Sequence, residues 1–188
     1  MWERGTDVNR VLRSDKTCST RGCEKRRVAE LAIIIAETIM DLEIRKAVES
    51  DLPAVLRLYA QPGMDNGSVL TVEAAAQILR RMATYPEYAV YVAKGNDGSV
   101  VGTFALLVMD NLAHMGTPSA VVEDVCVDER LRGQGIGGAM IQFAMQFARQ
   151  RGCYKLALSS NATRERAHAF YRSLGFEQHG LSFHVPLR

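Results

Sequence analysis

The chain has 188 residues, 47% of them hydrophobic, 23% charged and 7% aromatic, which excludes disordered and fibrous classes. Lys and Arg number 23 against 21 Asp and Glu, a net charge of +2, and no basic stripe interleaved with aromatics marks a nucleic-acid face. No apolar run reaches the ~18 residues of a membrane span. The longest, Val28 to Met40, is shorter and holds Glu30 and Glu37. The expectation is one soluble domain in the cytoplasm, with no nucleic-acid or membrane partner.

Composition changes near Met40. Residues 1–39 read as an N-terminal extension, with 1 to about 27 mobile and dispensable and Val28–Met40 able to form a helix on the domain or a partner subunit. The domain is expected over 40–188. Leu42 and Ile44, alternating with Glu43 and Arg45, predict a short first strand. Ser50 or Asp51 is placed to cap a helix with Pro53 in its first turn. Gln61 to Ser68, with Pro62-Gly63 and Asn66-Gly67, is a loop, and Thr71 caps a second helix through about Ala83. Tyr88–Ala93 and Val100–Met109 predict a hairpin about Gly95-Asn96-Asp97-Gly98. Ala120–Val127 is the next strand. Gly135–Arg151 is a long helix whose Ile136, Met140, Phe143 and Phe147 form one core-facing stripe, stopped by Gly152. Lys155–Leu158 predicts a short strand, Arg164–Leu174 a helix, and Phe176–Val185 one or two more strands.

Of the cysteines, Cys18 and Cys23 lie in the polar N-terminal stretch, whereas Cys126 and Cys153 sit among apolar residues and read as buried thiols. No cysteine or histidine spacing suits a metal, so none is expected.

The chemistry is carried by the run Val127-Asp128-Glu129-Arg130-Leu131-Arg132-Gly133-Gln134-Gly135-Ile136-Gly137-Gly138, which joins a strand to an amphipathic helix through four glycines. Glycines let backbone N–H groups approach a ligand closely, the helix start adds unpaired donors and partial positive charge, and Arg132 adds a full charge. That is a diphosphate cradle. Gly133-x-Gly135-x-x-Gly138 also satisfies a dinucleotide fingerprint, but no Asp or Glu occurs between Glu129 and Glu165 to hold a ribose. The context excludes that reading.

Arg132-Gly133-Gln134-Gly135-Ile136-Gly137, preceded by Val125-Cys126-Val127-Asp128, resembles motif A of the GNAT superfamily of N-acetyltransferases. Asn161 and Phe170-Tyr171-Arg172-Ser173-Leu174-Gly175-Phe176 resemble the same family's Asn and FYxxxGF segment. Val122-Glu123-Asp124-Val125 and Gly152-Cys153-Tyr154-Lys155-Leu156 are most similar to glucosamine-phosphate N-acetyltransferases, and Ser160-Asn161 to Tyr171 is similar to aminoalkylphosphonate acetyltransferases. The resemblance implies an α/β (α+β) GNAT fold: a central, mostly antiparallel mixed sheet of six or seven strands, splayed at the middle and flanked by about four helices. It implies acetyl-CoA as co-substrate and a small-molecule amine as acceptor; a homodimer is a separate expectation, with the Val28–Met40 helix packing on the domain or on the partner subunit. Cofactor contacts would come from Val125, Cys126, Val127, Arg132, Gly133, Gln134, Gly135, Ile136, Gly137, Gly138 and Asn161.

Direct attack of an amine on a thioester needs one proton removed from the ammonium and a stabilised leaving thiolate. Glu123 is the candidate base. Strict alternation would put it on the face of Val125, with Asp124 opposite. Tyr171 is the candidate acid, while His168, one turn earlier, reads as a helix-surface residue. A non-catalytic acetyl-CoA-binding module and a protein-lysine or N-terminal acetyltransferase are the competing readings.

Overall fold

The computed structural model describes residues 42–187. The expected extension, its Val28–Met40 helix, Cys18 and Cys23 lie outside these residues. The elements are β1 (Glu43–Lys46), a 3-10 turn (Glu49–Asp51), α1 (Leu52–Tyr59), α2 (Val72–Met82), β2 (Tyr88–Lys94), β3 (Val100–Met109), β4 (Ser119–Val127), α3 (Ile136–Gln150), β5 (Leu156–Ala157) and α4 (Glu165–Ser173). They form a mixed α/β fold with one five-stranded sheet in the order β1-β2-β3-β4-β5. All neighbours are antiparallel except β4 and β5. No helix among the described residues is long and apolar enough to cross a membrane.

Both faces of the sheet are covered, and period two sorts the residues between them, with a β2–β3 register slip at Ala93/Lys94 that brings Val101 into step with Phe104. Ala93, Val101, Phe104, Ala120 and Val122 pack against Ile136, Met140, Ile141 and Ala144 of α3. Their neighbours Val92, Val100 and Cys126 pack instead against Val55 and Leu58 of α1. The expected stripe of α3 holds: Met140 is fully buried, and Phe143 and Phe147 surround Tyr91 at ring-centroid distances of 5.4 and 6.0 Å. Cys126 is a buried free thiol and Cys153 a half-buried one.

Local signals explain most boundaries. Thr71 caps α2 by accepting the Ala74 N–H at 3.2 Å. Gly152, in the left-handed region at φ 71°, ends α3. Two expectations fail. Asp51 does not cap α1 with its side chain. Its carboxylate is buried and instead accepts two bonds from the Arg45 guanidinium (2.7 and 3.0 Å) and one from the Val48 N–H (2.9 Å). The second failure is the strand count, five rather than six or seven, because Phe176–Val185 forms no strand. Leu181, Phe183 and Val185 keep the alternation but are 76, 87 and 73% exposed. Alternation fixes which face a strand would bury but does not supply an edge to pair with. The edge strand β5 offers only Leu156 and Ala157.

The Arg45 bonds hold the Asp51 carboxyl below its usual range. A carboxylate whose pKa is lower in the folded chain adds stability that is complete above its unfolded value and is lost as pH falls through the folded one. Asp51→Ala should therefore cost about 1–3 kcal/mol near neutral pH in urea denaturation. The gap between variant and wild type should shrink below about pH 4.

Candidate functional site

The site is built around the outer half of β4. Strands β4 and β5 pair only at Ala120–Leu156 and Val121–Ala157, so the stretch of β4 from Val122 onward has no neighbour on that side. On the other side the β3–β4 register slips once: Thr103 faces Cys126 while Ala105 faces Glu123. Asp124 and Val125 therefore stand opposite Phe104 alone. This is a β-bulge, and Asp124 supplies its left-handed residue at φ 54°. Asp tolerates that region better than most residues.

The bulge corrects the reading from strict alternation. Val122 and Val125 both pack toward α3, whereas Cys126 packs toward α1. Glu123 is thus out of step with Val125, and Asp124 is not turned to a far face. Both carboxylates line one cleft of about 130 Å³, together with Val125, Met64, Ser159, Ser160, Arg164 and Tyr171. Partial burial, reinforced by Asp124, pushes the Glu123 carboxyl up. Partial burial, reinforced by Asp65, does the same to Asp124. Burial also pushes the Tyr171 hydroxyl up; Arg164 opposes this and Glu123 adds to it. The cleft therefore combines a carboxylate that accepts a proton above the usual range with a phenol that keeps its own.

The same strand ends in the cradle. Asp128 caps the 3-10 turn Glu129–Leu131 by accepting the Arg130 N–H, and it binds the Arg130 guanidinium at 3.0 and 2.6 Å. That ion pair pulls its carboxyl down to about 2 and keeps its charge answered beside the loop. Gly133 and Gly135 have φ of 82° and 83°, values that demand glycine. Gly135 is the N-cap of α3, and its carbonyl accepts the Ala139 N–H. The preceding amides, of Ile136, Gly137 and Gly138, are left without an intrahelical acceptor. No acidic residue lies in this first turn, and the Arg132 side chain is exposed at its mouth. A Cβ on Gly138 would stand in open space, whereas one on Gly137 would press on Phe170 at 3.3 Å and Val127 at 3.7 Å. The donor set fits a diphosphate. Gly137 is favoured by packing, and the Ile136 side chain is buried in the core.

Asn161 falls outside the cleft lining: its Oδ1 accepts from the N–H and hydroxyl of Thr163 at 3.0 and 2.8 Å, an Asx turn ahead of α4. His168 is half-buried and its ring bonds the Asn161 carbonyl at 3.0 Å. Met64, Ser159, Ser160 and Arg164 were not foreseen. They come from loops and a helix start, where no periodicity assigns a direction.

The profile of the acetyltransferase (GNAT) family matches residues 48–176. A glucosamine 6-phosphate N-acetyltransferase of Trypanosoma brucei brucei is 31% identical over 156 residues, covering 79% of this chain and 98% of that protein. An aminoalkylphosphonate N-acetyltransferase of Salmonella typhimurium is 34% identical over 87 residues, covering 46% of this chain and 56% of that one. The solved structure of a putative acetyltransferase from Agrobacterium tumefaciens superposes with a TM-score of 0.70 at 32% identity, covering 77% of this chain and 99% of its own.

Gly138 separates cradle chemistry from folding. Gly138→Asp adds a side chain into open space at a helix start, where a carboxylate is favourable, so thermal stability should hold or rise. The same carboxylate should weaken coenzyme A binding by about tenfold or more in calorimetry. Unchanged affinity would remove the diphosphate from this loop.

Proposed function

Because the chain belongs to the acetyltransferase (GNAT) family, we propose that it transfers an acetyl group from acetyl-CoA to a primary amine of a small molecule. Transfer is by direct attack in a ternary complex, and the acceptor is an amino sugar phosphate or an aminophosphonate. The observation that carries this reading is the meeting of Glu123, Asp124, Val125 and Tyr171 in one cleft, on a strand that continues into the cradle. The relatives acting on glucosamine 6-phosphate and on aminoalkylphosphonates support the acceptor class.

When bound, acetyl-CoA supplies the acetyl group as an activated thioester. The amides of Ile136, Gly137 and Gly138 and the Arg132 guanidinium hold its diphosphate. The main chain of Val125 and Val127 holds the arm along the unpaired edge of β4. The Val125 N–H, beside the bulge, orients the acetyl oxygen and stabilises charge developing there. Glu123, with its raised carboxyl, accepts the proton of the acceptor ammonium, and Asp124 beside it holds that ammonium in place. Tyr171 keeps its phenolic proton at working pH and delivers it toward the departing sulfur.

The test is thiol release with a panel of amines: glucosamine 6-phosphate, an aminoalkylphosphonate, unphosphorylated glucosamine and a lysine peptide. The first two should be turned over best, and preference for the peptide would replace the small-molecule reading. Tyr171→Phe should lower kcat roughly 100-fold with coenzyme affinity near wild type. A kcat within about twofold of wild type would deny the tyrosine its role.

The pH profile reports the base. Because Glu123 is shifted up, kcat/KM should fall as pH drops through a limb lying above about 4.3, the ordinary carboxylate value. Glu123→Gln should abolish or move that limb. An unaltered limb would leave Asp124 or water as the proton route.

A further inference from the structure

The loop between α1 and α2 is fastened by side chains at two points. Gln61 Nε2 shares its two protons among the Leu58 carbonyl (2.9 Å), the Cys126 sulfur (3.1 Å) and the Val127 carbonyl (3.3 Å), while its Oε1 accepts the Glu129 N–H at 2.6 Å. Arg164, at the head of α4, donates to the Gly63 carbonyl. Beyond these points the loop is tied back to the end of α1 by Asp65 N–H to Tyr59 O (3.0 Å) and Gly67 N–H to Ala60 O (2.9 Å). It brings Met64 into the cleft wall and Asp65 close enough to Asp124 to raise its carboxyl.

We propose that Gln61 is a positioning residue for the transfer reaction, locking the acceptor-side loop to the point where β4 passes into the cradle. The inference rests on the reading of the cleft as the transfer site.

Three features favour Gln61 over the rest of the loop. Its side chain reaches residues 65 to 68 positions away in sequence, bridging parts of the chain that backbone bonds do not connect. The arrangement needs a primary amide: one end must donate to carbonyls while the other accepts an N–H. A carboxylate lacks the donor and an ammonium lacks the acceptor. The Val127 carbonyl also has a particular direction. Asp128 N–H donates to Val101 O and Gly102 stands opposite Val127, so ladder alternation turns the Val127 main chain away from β3, toward the splayed side. Gln61 therefore meets β4 on the edge that the coenzyme arm would use, while holding the loop that faces the acceptor.

The catalytic groups sit on β4 and α4, not on this loop, so freeing it should affect acceptor binding more than chemistry. Two variants test this. Gln61→Met keeps length and removes all four polar contacts; Gln61→Glu keeps an acceptor and removes the donor. Each should raise the acceptor KM about tenfold or more, with kcat and coenzyme A affinity within about threefold of wild type. Hydrogen exchange at the Asp65, Gly67 and Ser68 amides should quicken about tenfold or more.

A lower melting temperature with unchanged KM and unchanged loop exchange would reduce Gln61 to a stabilising contact and overturn the proposal. A fall in kcat at constant KM would overturn it as well. If the wild type turns over no amine in the panel, the reading of the cleft fails by itself. Loop exchange then still decides whether Gln61 fastens the loop, and unchanged rates in both variants would refute it.

Discussion

The phase change in β4 at Asp124 is the constraint on which the cleft depends. Without it, alternation would carry Asp124 onto the face of Val122, against α3, where a carboxylate would be buried among apolar side chains at a cost of several kcal/mol. One extra residue lets Val122 and Val125 both pack toward α3 while Glu123 and Asp124 stay at the cleft. A non-glycine residue in the left-handed region costs on the order of 1 kcal/mol and persists only where its surroundings fix it. Here the ladder resumes on both sides, at Thr103–Cys126 and Ala105–Glu123, so the strain is held between two paired segments.

The short pairing of β4 with β5 acts with the bulge. An unpaired strand edge invites another strand, which is the usual hazard of sheet edges. In this fold the exposed stretch lies inside the molecule's own cleft, between β4, the Ser159–Ser160 segment and α4, and is bounded above by the Gln61–Ser68 loop. The edge that would be a liability on the outside of a sheet is here enclosed within the cleft.

Legibility of the sequence divides along the same lines. Elements set by local signals were readable to within a residue or two: Thr71 and Gly152 as caps, the hairpin glycines, and the α3 stripe. The tight glycine turn from β4 into α3 was readable because glycines at that spacing answer a backbone requirement that the chain states locally. What alternation could not state was the bulge, since Glu123-Asp124-Val125 carries no glycine to announce it. Asp51 misled for a related reason: its residue type suits a cap, but the nearby Arg45 guanidinium offered a stronger, charged partner. The tail misled in the opposite sense, with a strand pattern and no edge to pair with. Gln61 and Arg164 act through contacts far away in sequence, which no local pattern encodes.

The four glycines of the cradle answer three different demands, and this ties the two family motifs together physically. Gly133 and Gly135 supply left-handed backbone, and a Cβ on Gly138 would stand in open space. Gly137 instead leaves room for the Phe170 ring, which a Cβ would meet at 3.3 Å. Phe170 is the neighbour of Tyr171 on α4, and their rings lie 5.2 Å apart. Gly137, in the first turn of α3, thereby lets α4 pack close, and α4 places Tyr171 at the cleft. A side chain at Gly137 would press on Phe170, the neighbour of Tyr171, and the Phe170 ring would have to give by a few tenths of an ångström. The glycine motif and the FY segment, distant in sequence, thus meet in one packing contact, Gly137 against the Phe170 ring.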